Sequence, residues 1–76
     1  MCVGYPAKIL SLIPDLKCAH IEYQGMKTAV SISLLEDVEP GDYVLVHAGT
    51  ALEKLTKNAA AEIEAMLQEF GFKNND

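Results

Sequence analysis

The apolar and polar positions of the chain predict a series of short strands that ends in one helix. Runs of strand-forming residues bounded by turn signals predict five strands, over residues 3–13, 17–23, 26–32, 43–47 and 50–55. The fourth run, Tyr43–His47, lacks the regular polar alternation of a half-solvated strand, so we expect it to be buried on both faces. Proline donates no ladder hydrogen bond, and Pro6 therefore predicts an edge or a bend at the start of the first strand.

Alternation within the first two strands predicts which side chains share a face of the sheet. In the first strand, one face is expected to carry Ala7, Ile9, Ser11 and Ile13. In the second strand, the more polar face is expected to carry Cys18, His20 and Glu22. Gln24-Gly25 predicts a hairpin loop, and the capping-box sequence of residues 33–36 predicts one helical turn.

From about residue 57 the apolar period changes to that of an amphipathic helix. The pattern predicts a helix over about 58–70 with Asn58 as its N-cap, followed by a frayed polar tail over 73–76. The predicted apolar stripe consists of Ala59, Ile63, Met66, Leu67 and Phe70. The acidic positions of the helix are interpreted as a solvated face: Glu62, Glu64 and Glu69.

Together these elements predict a mainly β fold. We expect a small five-stranded barrel over about 3–55, similar to the oligonucleotide-binding (OB) fold, with one C-terminal α-helix. Five short strands leave part of such a barrel uncovered, and the helix has an apolar face to cover it. With 76 residues, the chain is expected to form a single domain over 1–76.

Charge narrows the functions that such a barrel can serve. Lysine and arginine together number 6 against 11 acidic residues, the net charge is −5, and every cation is a lysine. Nucleic-acid affinity rests on neutralising phosphates, for which arginine is the preferred residue, so we expect no nucleic-acid partner. No apolar stretch is long enough to span a bilayer and no signal-peptide pattern is present, which predicts a cytoplasmic protein without a membrane partner.

Cys2 and His47 are the main candidates for chemistry. An initiator methionine before a small residue is normally removed, and a neighbouring α-ammonium would then favour the thiolate of Cys2, which is the form that binds metals. His47 ends an apolar strand, where its side chain can be anchored by the core and still reach the surface. Thiolate and imidazole together suit a soft metal site with positions left open for other ligands. Taken singly, each residue also has a purely structural interpretation.

Cys18 and His20 provide an alternative. With Cys2 and His47 they have the composition of a Cys2His2 zinc site, although the Cys18-Ala19-His20 spacing is unlike a zinc knuckle. A disulfide between the two cysteines is not expected in a reducing compartment. The chain shows no nucleophile–base–orienter triad, glycine-rich phosphate loop or paired-carboxylate motif, so we do not expect an enzyme.

Two ordered segments resemble the signatures of a known family. Residues 1–9, Met-Cys-Val-Gly-Tyr-Pro-Ala-Lys-Ile, are similar to the N-terminal signature of the HypC/HupF family of [NiFe]-hydrogenase assembly chaperones. Residues 41–49, Gly-Asp-Tyr-Val-Leu-Val-His-Ala-Gly, resemble the second signature of that family. The similarity runs from residue 1 to about residue 55. Two departures stand out, since many members have glycine at the position of Ala7 and an aromatic residue at that of Thr50.

The resemblance implies a role in carrying iron. Members of the family bind an iron–sulfur scaffold protein of the HypD type, help to assemble an Fe(CN)2CO-type iron fragment, and deliver it to the precursor of the hydrogenase large subunit. By the same resemblance, Cys2 is the essential cysteine of both complexes and His47 helps to hold the iron as a transient cargo. The N-terminal signature residues Cys2, Val3, Gly4 and Pro6 are expected to bind the partners.

Overall fold

Strands and helix follow one another along residues 4–69, the part of the chain that the computed structural model describes. The strands are β1 (Tyr5–Ile13), β2 (Cys18–Tyr23), β3 (Met26–Ser31), β4 (Tyr43–His47) and β5 (Thr50–Leu55), and the helix is α1 (Lys57–Glu69). A single 3-10 turn, Pro14–Leu16, joins β1 to β2. The predicted strands and the helix are confirmed, with bounds that differ by a residue or two. Phe70 and the predicted tail over 73–76 lie outside the described residues.

The strands form a closed barrel in the order β1-β2-β3-β5-β4. Neighbouring strands are antiparallel except β3 and β5, which are parallel and share the single register pair Ser31↔Thr50. β1 closes the barrel because its first half pairs with β4 and its second half with β2. The mainly β fold with a five-stranded barrel and one C-terminal helix is therefore confirmed. At Pro6, β1 has only β4 beside it, since pairing with β2 begins at Lys8, and this fits the predicted edge.

Small and β-branched side chains fill the inside of the barrel. The buried cluster consists of Ala7, Ile9, Ala19, Ile21, Val30, Val44, Val46 and Ala51. Burying a valine or isoleucine side chain contributes about 1.5–3 kcal/mol, so the larger members of this cluster are the main source of stability. Within residues 4–69 no helix is long and apolar enough to cross a membrane.

A β-bulge at residue 10 changes the direction of the side chains in the second half of β1. The register with β2 shifts between Ile9 and Ser11, so that Leu12 pairs with buried Ala19 and packs against the core. The prediction that Ser11 and Ile13 share a face with Ile9 is therefore wrong. One extra residue in a strand exchanges inward and outward positions beyond it.

Only the inner face of β4 is fully buried, which corrects the expectation of burial on both faces. Val44 and Val46 have no exposed surface, whereas Tyr43, Leu45 and His47 on the outer face are half-buried. A closed barrel gives each strand one interior face only. The outer face of β4 is nevertheless rich in apolar residues because neighbouring parts of the chain cover it partly, α1 near Tyr43 and the start of β1 near Leu45.

Residues 33–36 form a turn and not the predicted helical turn. The Ser33 hydroxyl lies 3.1 Å from that of Ser31, and the Ser33 amide donates to the same Ser31 oxygen at 3.3 Å. The Ser33 side chain is thus engaged by the preceding strand and does not cap the amide of Glu36. Asp37 then adopts a left-handed conformation (φ 59°), which takes the chain out of any helical path.

The helix begins earlier than predicted because Thr56, and not Asn58, is its N-cap. The Thr56 hydroxyl accepts a hydrogen bond from the Ala59 amide at 3.0 Å, and the Thr56 carbonyl accepts one from Ala60 at 2.9 Å. Asn58 lies within the first turn and is exposed. β5 ends at Leu55, so Thr56 is the first residue free to cap.

The face of α1 that packs on the barrel differs from the predicted stripe. Ala60 and Leu67 are its buried residues, and Ile63 is half-buried between them. Met66, which was predicted to belong to the stripe, is 53% exposed. The helix therefore contacts the barrel through a narrow apolar strip, with a small residue at one end.

Candidate functional site

His47 is held at the end of a rigid hairpin. It is the last residue of β4, and because Val46 points inward, His47 lies on the outer face of the barrel. Ala48 and Gly49 follow with φ angles of 54° and 79°, the conformation of a two-residue hairpin turn. The Gly49 carbonyl accepts a hydrogen bond from the Ser31 amide at 2.9 Å, which ties the turn to β3.

The start of β1 lies directly beside His47. Tyr5 pairs with Val46, the residue before His47, so the antiparallel direction of β1 takes Gly4 towards the His47 end of β4. Gly4 is buried, and a Cβ atom there would lie 2.8 Å from the Val46 carbonyl oxygen and 2.9 Å from Leu45 Cδ1. These contacts are closer than a side chain allows, so the chain can lie flush against β4 only with glycine at this position.

The structure brings together only some of the predicted site residues. Gly4 and Pro6 are adjacent to β4 and buried. They therefore determine the path of the N-terminal segment and expose little surface to a partner protein. Cys2 and Val3 lie outside the described residues. The metal pair formed by Cys2 and His47, and the partner contacts of the N-terminal signature, therefore remain predictions.

The Cys18–His20 pair does not belong to the site around His47. It lies on β2, which is separated from β4 by β3 and β5 on one side and by the length of β1 on the other. The Cys18 thiol contacts the Leu16 carbonyl at 3.3 Å. Among residues 4–69 no three histidine, cysteine, aspartate or glutamate side chains are grouped closely enough to hold a metal ion. The described residues thus give the zinc alternative no support.

A groove of about 600 Å³ lies between α1 and the barrel. Glu64 lines this groove, and its Oε2 atom accepts hydrogen bonds from the side-chain amides of Gln24 and Gln68. Gln24 is at the tip of the β2–β3 hairpin, so this carboxylate joins the hairpin to the helix. The interpretation of Glu64 as part of a solvated face is wrong, since it is half-buried on the inner side of the helix.

Tyr23 lines the same groove, and its pKa is raised there. Burial raises the pKa of Tyr23 to about 12, and the adjacent Glu64 carboxylate adds to this rise as a hydrogen-bond acceptor and as a negative charge. The ring of Tyr5 lies beside that of Tyr23, with centroids 4.7 Å apart. No sequence motif signalled this cluster, because it joins three segments that are far apart in the chain.

The geometry around His47 can be compared with known proteins. The model of the HupF/HypC family matches residues 1–67, which include the start of β1, the whole of β4 and His47. The chain belongs to the HupF/HypC family. The described part of the first signature therefore lies beside the second, since residues 5–8 of β1 pair with residues 43–46 of β4.

Curated relatives in this family are similar over most of their length. The hydrogenase maturation factor HypC of Rhizobium leguminosarum is 36% identical over 69 residues, which cover 91% of either chain. HypC of Azotobacter chroococcum is 37% identical over 71 residues, 93% of this chain and 83% of the relative. HypC of Synechocystis is 32% identical over 75 residues, which cover 93% of this chain and 99% of the relative. Membership of the HupF/HypC family supports a chaperone role in hydrogenase maturation.

Proposed function

We propose that this protein carries an iron fragment between two partners during hydrogenase maturation. The thiolate of Cys2 and the imidazole of His47 hold an iron centre that bears cyanide and carbon monoxide. The centre is assembled on an iron–sulfur scaffold protein of the HypD type and passes to the precursor of the hydrogenase large subunit. The observation that carries this proposal is the register of β1 and β4, in which Tyr5 of the N-terminal signature pairs with Val46, the residue before His47.

Covalent geometry allows Cys2 to approach His47. Consecutive Cα atoms lie about 3.8 Å apart, so the Cα atom of Cys2 is within roughly 8 Å of that of Gly4. Paired residues of antiparallel strands, such as Tyr5 and Val46, lie about 5 Å apart between Cα atoms. A thiolate on Cys2 and the imidazole of His47 can therefore bind one metal ion without any rearrangement of the barrel.

The residue types suit a cargo that must be taken up and released. Thiolate is a soft ligand that iron binds readily, and imidazole is a common second ligand for the same metal. Two protein ligands leave the remaining coordination positions to cyanide, carbon monoxide and groups of the partner. His47 is half-buried, so one edge of the ring is available at the surface while the strand fixes its position. We propose that this exchange takes place in the cytoplasm and involves no nucleic acid.

An anaerobic pull-down from cells that make active hydrogenase tests this function. The tagged protein should co-purify with the scaffold and the large-subunit precursor, and its infrared spectrum should show cyanide and carbonyl stretching bands. Cys2→Ala should lower recovery of both partners at least tenfold, a loss of about 1.4 kcal/mol or more in binding. His47→Ala should weaken the bands more than it weakens scaffold binding, because the imidazole contacts the cargo.

Matched variants separate the site from a general effect on folding. Cys18→Ser and His20→Ala change the same residue types on β2 and should leave both the partners and the bands unchanged. All four variants should unfold at the wild-type denaturant concentration within error. Partner complexes and bands that persist in Cys2→Ala, or that disappear equally in His20→Ala, would rule the proposal out.

A further inference from the structure

Thr50 is the side chain directly across the sheet from His47. The two residues form a register pair between β4 and β5, next to the inward pair of Val46 and Ala51. Both therefore point to the outer face, and both are half-buried. Directly opposed residues of an antiparallel pair have Cβ atoms about 4.5–5.5 Å apart, so the side chains of His47 and Thr50 are neighbours on this face.

The two neighbours of His47 in the sheet differ in what they offer a ligand. On the β1 side Gly4 has no side chain, and its backbone packs against the Val46 carbonyl and the Leu45 side chain, so it offers a ligand no side-chain group. On the β5 side Thr50 has a hydroxyl, and among residues 4–69 that hydroxyl makes no hydrogen bond to another side chain. Within residues 4–69, the Thr50 hydroxyl is thus available to a ligand bound at His47.

The position of this hydroxyl is fixed on both sides. The Ala48-Gly49 turn fixes the pairing of His47 with Thr50. On the other side of β5, Ser31 of β3 pairs with Thr50. Threonine also has a restricted χ1 angle, so its hydroxyl loses little freedom when it binds. A hydroxyl whose position is fixed can select among ligands, because it does not move to hydrogen-bond a ligand whose acceptor lies elsewhere.

We propose that the Thr50 hydroxyl donates a hydrogen bond to a cyanide nitrogen of the iron fragment bound at His47 and thereby selects and orients this cargo. The proposal rests on the function proposed above. Cyanide bound to iron through carbon presents a nitrogen lone pair and carries negative charge, so it is a strong acceptor. The oxygen of bound carbon monoxide is a poor acceptor. A single hydroxyl can therefore distinguish the two diatomic ligands by hydrogen bonding.

Infrared spectra of protein purified anaerobically with its cargo test this contact. Thr50→Val keeps the shape and strand propensity of threonine but removes the donor, and it should shift at least one cyanide stretching band by more than the band width. The carbonyl band should move less. Thr50→Ser restores a hydroxyl and should return the wild-type cyanide spectrum, which a merely structural role of Thr50 would not predict.

Thr28→Val, on the exposed part of β3, is the matched control and should have a wild-type spectrum. A Thr50→Val spectrum identical to that of the wild type would overturn the role of Thr50 while leaving the carrier function intact. Absence of any cyanide band from the wild-type protein, in cells that make active hydrogenase, would overturn both. The two failures are therefore distinguishable in one set of samples.

Discussion

At the scale of single residues, Gly4 is a glycine for steric reasons. Its backbone does not adopt a left-handed conformation, in contrast to Gly25, Gly41 and Gly49. The space for a side chain is filled by the Val46 carbonyl and the Leu45 side chain. The N-terminal signature can therefore run beside His47 only if nothing projects from this position towards β4.

Gly4→Val should destabilise the protein and separate the N-terminal segment from His47. Overpacking at a tight contact costs about 1–3 kcal/mol, and we expect a loss of unfolding free energy in this range. Chemical denaturation followed by circular dichroism measures it, and partner recovery in the pull-down should fall as well. Ala29→Val, at an exposed position of β3, should change the unfolding free energy by less than about 0.5 kcal/mol. Equal stability of both variants would contradict the steric argument.

At the scale of elements, the start of α1 depends on where β5 ends. β5 pairs with β4 through Leu55, and the next residue caps the helix. Thr56 and Asn58 are both residue types favoured at N-caps, so local preference alone does not choose between them. The end of β5 decides which of the two residues is the N-cap, because the backbone of an N-cap residue is no longer paired in the sheet.

Thr56→Ala should lower stability by about 1 kcal/mol, since it removes the acceptor of the Ala59 amide. Asn58→Ala should have little effect or raise stability slightly, because alanine is the better residue inside a first turn. Urea unfolding curves of the two variants give the comparison. The opposite order of stabilities would show that Asn58 caps the helix in solution.

At the scale of the whole molecule, the barrel and the helix are joined by a polar contact as well as by apolar packing. The buried residues of α1 are Ala60 and Leu67, so this helix of 13 residues buries only a small apolar area against the barrel. Glu64 adds a link to the β2–β3 hairpin through Gln24, next to Tyr23. The position of the helix should therefore respond to the ionisation of this cluster.

Stability should fall between pH 10 and pH 12 because of Tyr23. Its pKa is about 12 in the folded protein against an ordinary value of 10.0, so its contribution is complete below pH 10 and is lost as the pH rises through 12. Tyr23→Phe should therefore show a shallower fall in unfolding free energy over this range than the wild type. Parallel curves for the two proteins would contradict the linkage between Tyr23 and the folded state.

Sequence alone predicted the parts of the fold that depend on neighbours in the chain. The exact bounds of β4 and β5, the tight turns between strands and the position of His47 at a strand end all follow from runs of strand-forming residues and the turn residues that bound them. The two signature segments were also visible in the sequence, and with them the family. These features are local because strand propensity and turn conformation depend on a few consecutive residues.

Tertiary structure decided what distant segments do to one another. Pairing of β1 with β4 packed Gly4 against Leu45 and Val46, and no local pattern in the sequence showed which strand the N-terminal segment would join. The bulge at residue 10 depends on pairing with β2, and the burial of Glu64 depends on the hairpin that packs against its helix. Side-chain pairs between strands that are distant in the chain, such as β1 and β4, depend on a register that no local turn fixes. The sequence therefore identified the histidine, and only the fold showed which residues surround it.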